Sequence, residues 1–409
     1  MIFRLYDSEK DQKAVHRIWH ETGWISSADD EKQLDVFLDA NRGLVAEVNG
    51  EAECLVHSTP GVFRYQTEDL ALSAITAVTT SRIARKQGFA RRLTAQRIAE
   101  DATKGALVSM LGIFEQGYYD QLGYGTGSYE HWISFDPAQL KLDVRARVPK
   151  RLRKEDAASI HQALINRHRG HGACYLLPQK IVEAELGWGS KGFGLGYCDG
   201  PNGELTHFLW ASANGENGPY GINIYAYENG EQFLELLALL KNLGDQVRMV
   251  RMREPQGIQM QDFLIQPFRY RQLTDKSKFV NVNRATAYWQ IRMCDLPGCL
   301  AHTHLNGEPV RFNLRLTDPI VDSLDADIPW RGVGGDYVVT LGPRSEARLG
   351  TDANLPTLTA TVNAFSRMWI GVQPASGLAV SDKLSGPSEL LASLDQILCL
   401  PQPKWGWDF

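Results

Sequence analysis

Arg82, Arg85, Lys86, Arg91 and Arg92 surround Gly88 and Ala90 in one short stretch of the chain. The residues just before it, Ala74 to Val78, read as a strand with Ile75, Thr76 and Val78, and helical spacing begins at about Ala90. Gly88 permits backbone angles that a Cβ resists, and small Ala90 leaves the first helical turn open to close approach. A helix start presents unpaired N–H groups and a partial positive charge, so this loop has the chemistry to hold a phosphate or pyrophosphate. A solvated basic helix face has the same composition, and charge alone does not separate the two.

The pattern continues downstream. Ala106 to Ile113 forms a second apolar, strand-like run, followed by Tyr119-Asp120-Gln121-Leu122-Gly123-Tyr124. Arg85-x-x-Gly88-x-Ala90 after a strand resembles motif A of the GCN5-related N-acetyltransferases, [Arg/Gln]-x-x-Gly-x-[Gly/Ala], and the Tyr119 run resembles their Tyr-x-x-x-Gly-[Phe/Tyr] element. More narrowly, the Tyr-x-x-x-Gly-Tyr-Gly run, the 409-residue length and the aromatic C-terminus resemble the three-domain "enhanced intracellular survival" acetyltransferases. That resemblance is specific in the first third and at the last residues.

The resemblance implies direct acetyl transfer from acetyl-coenzyme A, as cosubstrate and with no metal, to an amine of a small polyamine or aminoglycoside-like acceptor. It places the pantetheine amides on the backbone of Ala77, Val78, Thr79 and Thr80, because a splayed strand leaves N–H and C=O groups to satisfy. The pyrophosphate falls on Arg85, Lys86, Gln87, Gly88, Phe89, Ala90 and Arg91. An amine must lose a proton and the departing thiolate must gain one. Tyr119 occupies the family's general-acid position, and a phenol with a reference pKa of about 10 is protonated at neutral pH; Tyr118 is the neighbouring candidate. Close relatives also end in Phe and use that terminal carboxylate as the base, so the carboxylate of Phe409 takes the role, with Asp408 beside it. Glu21 and Trp24, near the end of the first predicted helix, are candidates to line an acceptor cleft, with core packing the default reading of Trp19 and Trp24. Arg82 departs from a position often held by Pro, and Phe114 from one that is small and polar in close relatives.

These residues need elements to hold them. With 43% hydrophobic and 22% charged residues, the chain can bury large cores in two to four domains. Helical spacing of Val15, Ile18 and Trp19 predicts a helix from about Ser8, with Ser8 as its cap, and Asp30 to Leu38 predicts another. Asn49-Gly50 predicts a hairpin between Gly43–Val48 and Glu51–His57. A change near Val144 opens a second unit with the same order of elements, whose strand-to-helix junction, Glu228-Asn229-Gly230-Glu231, is acidic and lacks the basic loop. After Asn283 a half-buried sheet (Val310, Phe312, Leu314, Leu316) precedes helices at Ala364–Ile370, Asp382–Leu384 and Pro387–Leu398, resembling a sterol-carrier-protein-like domain. The expected class is α+β: residues 1–144 a catalytic acetyltransferase domain, 145–282 a degenerate second one, and 283–409 the sterol-carrier-like domain.

Other features bound the function. A net charge of −5 argues against a phosphate-driven nucleic-acid binder. The N-terminus lacks an apolar h-region, so neither a signal peptide nor a membrane partner is expected, and six scattered cysteines suit reduced thiols in the cytoplasm. Cys294, Cys299, His302 and His304 lack paired zinc-ligand spacing, and His168 and His171 read as a solvated basic turn. The C-terminal run with two prolines and three aromatics, Pro401 to Phe409, reads as docked rather than frayed. Family resemblance suggests a homohexamer. Two alternatives stay open: a protein-lysine acetyltransferase, and a non-catalytic lipid- or ligand-binding protein using the last domain.

Overall fold

The computed structural model describes residues 2–188, 192–267 and 282–407, and the chain groups into two compact units. The first comprises Met1–Ser128, Gly170–Pro178 and Ala287–Phe409; the second comprises Tyr129–Arg169 and Gln179–Thr286. Both mix helices with mixed sheets.

In the first unit the order is β1 (Ile2–Leu5), α1 (Ser8–Thr22), α2 (Ala28–Asp39), β2 (Arg42–Val48), β3 (Glu51–Tyr65), β4 (Glu68–Thr80), α3 (Phe89–Thr103) and β5 (Val108–Gly112). Asp7, not Ser8, caps α1 by accepting from the Glu9 N–H, because Ser8 is already inside the helix, which starts one residue earlier than a Ser8 cap would require. Ser27 and Asp30 close a capping box on α2. Asn49 and Gly50 turn the β2–β3 hairpin with φ of 53° and 90°, the positive angles that this dipeptide tolerates. Leu93 and Ile98 of α3 are buried against Cys54, Val56, Ile75 and Leu111 of the sheet, each such side chain contributing roughly 1.5–3 kcal/mol of transfer free energy.

The sheet runs β1-β2-β3-β4-β5, continues to the strand Trp289–Met293 and ends at Gly125–Thr126. The strand inserted between β5 and that edge therefore comes from far along the chain. A second sheet of this unit, built on Val310–Thr317, carries the helix Val362–Trp369 beside it, and the Val310–Thr317 strand buries Phe312, Leu314 and Leu316 as its alternation predicts. Around 382 the expected helix is absent: Ala375–Ser381 is helical and Leu384–Ser385 pairs antiparallel with Thr357–Thr361, since pairing with a distant strand overrides a weak local signal. Pro401 to Trp407 is docked. The Lys404 N–H donates to His171 O at 3.1 Å, the Cys174 N–H donates to Trp405 O at 2.9 Å, and the Trp405 ring stacks on Trp289.

His171 corrects an expectation. It is buried, its Nδ1 accepts from the Gln66 N–H at 2.9 Å, and its Nε2 lies 3.0 Å from Ile370 O. Chain segments distant in sequence cover it, which a basic pentapeptide cannot reveal.

The second unit begins with the strand Glu130–Phe135, upstream of Val144, because Ile133 pairs with Met252 and with Asn283. Within it, Tyr220–Ala226 pairs antiparallel with His207–Ala213 and parallel with Val250–Arg253, with the helix Gly230–Asn242 between. In the first unit β4 pairs antiparallel with β3 and parallel with β5, with α3 between. The same arrangement thus occurs twice.

Candidate active site

The parallel ladder between β4 and β5 runs from Leu72↔Val108 to Ile75↔Leu111 and stops there, while β4 continues to Thr80. At that point β4 bulges: Leu55 faces Thr79 and His57 faces Thr76, so Ala77 and Val78 both oppose Val56. Ala77 has φ of 53°, a left-handed angle that an alanine rarely adopts. The strand is thereby turned away from β5, and Ala77, Val78, Thr79 and Thr80 keep backbone edges that no ladder uses on that side. Thr80 Oγ1 lies 3.3 Å from the Cys54 Sγ, and burial pushes that thiol up to about 12, so it stays protonated.

Arg85, Lys86, Gln87 and Gly88 follow as an exposed loop in which Lys86 and Gly88 have φ of 61° and 78°. Nothing lies within 4 Å of a Cβ built on Gly88, so the left-handed angle, not space, selects glycine there. Gly88 is the N-cap of α3 and no side chain caps the helix; the first-turn N–H groups of Phe89, Ala90 and Arg91 face outward with the positive end of the dipole. In the second unit the corresponding helix is different: the Asn229 side chain accepts from the Gln232 N–H at 3.1 Å and closes that end. Arg85 and Lys86 make no ion pair among the described residues. Arg92 is committed, its Nη2 2.7 Å from Asp325 Oδ1, and Arg91 Nη1 donates to Gln121 Oε1 at 3.1 Å.

Tyr119 opens the 3-10 turn Tyr119–Leu122 and is 6% exposed, in the same buried cluster as Ile75 and Leu111, the last pair of the ladder. Burial pushes its phenol up to about 12, so it holds its proton across the physiological range. Tyr118 packs edge-on to it, and its hydroxyl is buried with no partner among the described residues. A buried unpaired hydroxyl costs about 1–3 kcal/mol, and one beside a ladder that has opened is suited to a polar ligand. Glu21 Oε2 accepts from the Arg82 N–H at 2.7 Å, fastening α1 to the basic loop, while Trp24 is 45% exposed against Trp19. Phe114 is 81% exposed just past β5. Asp408 and Phe409 lie outside the described residues.

Ala77, Val78, Thr79, Thr80 and the loop from Arg85 to Arg91 thus sit at consecutive positions along one opened strand and helix start, and Tyr119 sits at the root of the same opening. The bulge at Ala77 and the bond between Glu21 and Arg82 have no signal in sequence, since neither alanine nor a lone glutamate announces them.

The cysteine and histidine group around 294–304 is dispersed into separate bonds: Cys299 Sγ lies 3.3 Å from Leu107 O, His302 Nδ1 2.9 Å from Gly298 O, and His304 Nδ1 3.2 Å from Pro343 O. Asp199, His207 and Glu235 of the second unit bring three ligand atoms within 4.8 Å. Arg147 fills that space, with Nη2 2.6 Å from Asp199 Oδ2 and 2.7 Å from Glu235 Oε2. The trio is neutralised by a guanidinium, and a dication there would have to displace it. Among the described residues no helix is long and apolar enough to cross a membrane.

Residues 7–127 match the family model described as an acetyltransferase (GNAT) domain. No curated protein matches the chain. Among solved structures, it is similar to a conserved protein from Enterococcus faecalis described as a probable N-acyltransferase (16% identity, TM-score 0.80, covering 100% of this chain and 99% of the other). It is also similar to a GCN5-related N-acetyltransferase from Kribbella flavida (16%, 0.74, 100% and 98%) and to Eis1 from Mycobacterium abscessus (14%, 0.74, 100% and 100%). At such identities the likeness concerns the fold over the whole length. The opened ladder, the uncapped helix start and the Tyr119 turn all lie inside the matched segment, so the first unit carries a GNAT acetyltransferase domain and the protein is an acyltransferase.

Proposed function

We propose that the first unit transfers an acetyl group from acetyl-coenzyme A to an amine of a small polyamine or aminoglycoside-like acceptor. The observation that carries this reading is the coincidence of two features: the β4–β5 ladder ends at Ile75↔Leu111, and the α3 start beyond it has no side-chain cap and is flanked by Arg85 and Lys86, which make no ion pair among the described residues. The pantetheine arm pairs with the backbone of Ala77 to Thr80, and the pyrophosphate lies on Arg85 to Arg91. The amine nitrogen attacks the thioester carbonyl, the N–C bond forms and the C–S bond breaks. The amine's proton goes to the carboxylate of Phe409, and the thiolate takes a proton from Tyr119. Trp24 supplies an exposed aromatic wall to the acceptor, and Glu21 and Asp408 attract its positive charge.

In this reading the second unit is a degenerate acetyltransferase-like domain that shapes the protein without binding cofactor, consistent with Asn229 closing its helix start. The last segment is sterol-carrier-like and serves packing. The protein acts in the cytoplasm as a homohexamer. Acetyl-coenzyme A turnover measured against kanamycin, spermidine, an arylamine and a lysine peptide tests the acceptor class: preference for spermidine or kanamycin is expected, and turnover of the lysine peptide alone would replace this reading with a protein acetyltransferase.

A further inference from the structure

The Tyr119 turn is short, and much of what holds it comes from elsewhere in the chain. A four-residue 3-10 turn makes few bonds of its own, here Gly123 N–H to Asp120 O at 3.1 Å and Tyr124 N–H to Tyr119 O at 3.4 Å. Further bonds to the turn and to Tyr124 just after it come from side chains beyond residue 289. Asn363, near the start of the helix Val362–Trp369, donates from one Nδ2 to both Asp120 O (2.9 Å) and Tyr124 O (2.8 Å). Gln290 Nε2 donates to Asp120 Oδ1 at 2.7 Å. Arg292, fully buried and paired with Asp318 at 2.6 Å, donates to Leu122 O.

The seat is tight as well as polar. A Cβ on Gly123, which has φ of 82°, would lie 2.6 Å from Val362 Cγ1, 2.7 Å from Arg292 Nη1 and 3.1 Å from Asp318 Oδ1. Every one of these partners falls outside residues 7–127. Inside the matched segment only part of the hold on this turn is supplied, through Arg91 on Gln121 and the packing of Tyr119 against Ile75 and Leu111.

We propose that Asn363, supported by Gln290 and Arg292, is a positioning residue for acetyl transfer: its two hydrogen bonds fix the turn so that the Tyr119 hydroxyl is held where the departing sulfur needs a proton. This rests on the reading of Tyr119 as the acid. It makes the C-terminal segment part of the reaction machinery rather than an appendage. Asn363 suits the task because one amide nitrogen carries two N–H groups and spans carbonyls four residues apart. A misplacement of about 1 Å can cost on the order of 10²-fold in rate.

The test is a double-mutant cycle on the full-length protein, with acetyl-coenzyme A and whichever of kanamycin or spermidine turns over faster. Asn363→Asp keeps shape but cannot donate; Asn363→Ala is the second variant in case the added charge prevents folding. Either should lower kcat about tenfold or more with both KM values nearly unchanged. In the Tyr119→Phe background the same change should have less than about a twofold effect, because the group being positioned is gone. A purely structural role would lower the melting temperature while kcat per folded molecule stayed constant, or would lower kcat equally in both backgrounds; either outcome overturns the proposal. If Tyr119→Phe alone costs turnover and the Asn363 variants do not, only the positioning role falls. If Tyr119→Phe costs nothing, the acid assignment falls and the positioning role with it.

Discussion

The Arg82 N–H donates to Glu21 Oε2 at 2.7 Å, which joins the last turn of α1 to the chain entering the basic loop. The other oxygen, Oε1, has only a 3.5 Å contact with Arg17 among the described residues and is the one available to a cationic acceptor. Glu21→Gln keeps an acceptor for Arg82 but removes the charge, so KM for the amine should rise about tenfold, the loss expected from one charge-assisted hydrogen bond, with KM for acetyl-coenzyme A unchanged. Glu21→Ala also frees the Arg82 amide and should raise both. Steady-state kinetics with each substrate varied in turn separates the two; an equal response of both constants to Glu21→Gln would remove Glu21 from the acceptor side.

Cations in the basic loop are not equivalent. Arg85 is exposed and makes no ion pair among the described residues, whereas Arg92 already binds Asp325 at 2.7 Å and covers the Phe3 ring at 4.6 Å. Arg85→Ala should weaken coenzyme A by about 1.5–3 kcal/mol, and adding Gly88→Glu should weaken it further, because an anion then faces the phosphates from a left-handed position. Arg92→Ala should leave affinity within about twofold while lowering stability. Titration calorimetry with coenzyme A reads all three, and wild-type affinity in the folded Arg85–Gly88 double variant would sink the pyrophosphate assignment.

The local parts of this site were legible in the sequence because each is written in one stretch: Gly88 needs its positive φ, and Tyr119 to Tyr124 follows a strand at fixed spacing. What pairs across long separations was not. Nothing in Trp289–Met293 says that it slots between β5 and Gly125–Thr126, and nothing in Asn363 says that it reaches two carbonyls some 240 positions earlier. Ala77 marks a further limit: its left-handed angle is imposed by the register of β3 against β4, not by its own preference. His171 was misread for the same reason, since its partners Gln66 and Ile370 are supplied by other parts of the fold.

Tyr119→Phe should leave coenzyme A affinity intact and lower kcat by roughly 10²-fold, within the range of general acid catalysis. Because burial pushes the Tyr119 phenol up to about 12, no alkaline fall in kcat below about pH 10 should trace to it. Tyr118→Phe removes a buried hydroxyl that has no partner among the described residues, so it should raise thermal stability slightly. Loss of turnover in Tyr118→Phe, with none in Tyr119→Phe, would exchange the two tyrosines.

His57 should make the fold acid-sensitive. It is fully buried on β3 with Tyr6 edge-on at 5.4 Å, and neither ring nitrogen has a partner among the described residues. Burial, reinforced by the charge of Arg97, pushes its pKa down to about 3. Below the ordinary value of about 6.5 the unfolded chain binds a proton that the folded chain refuses, so stability falls as pH falls, by about 2 kcal/mol at pH 5. His57→Leu should flatten urea-unfolding free energies between pH 7 and pH 5. An unchanged slope would mean that the imidazole reaches a partner when protonated.

Anchoring and function should separate at the C-terminus. The tail is held at Pro403 to Trp407: Ser128 Oγ donates to Pro403 O, the Cys174 N–H to Trp405 O, and Trp405 is buried between Trp289 and Tyr288, with ring centroids 6.2 Å and 5.3 Å away. Trp405→Ala should therefore destabilise the first unit by about 3–5 kcal/mol, the usual cost of emptying a buried tryptophan site. Deleting Asp408 and Phe409 removes none of these anchors, so the melting temperature and coenzyme A affinity should be retained. Turnover should nevertheless be lost if the Phe409 carboxylate is the base, and a peptide tag appended after Phe409 should abolish it in the same way, by converting that carboxylate into an amide. A free α-carboxyl titrates near pH 3.3–3.7, so the surviving activity of a tagged protein, if equal to wild type at neutral pH, would show that another group or water takes the amine's proton.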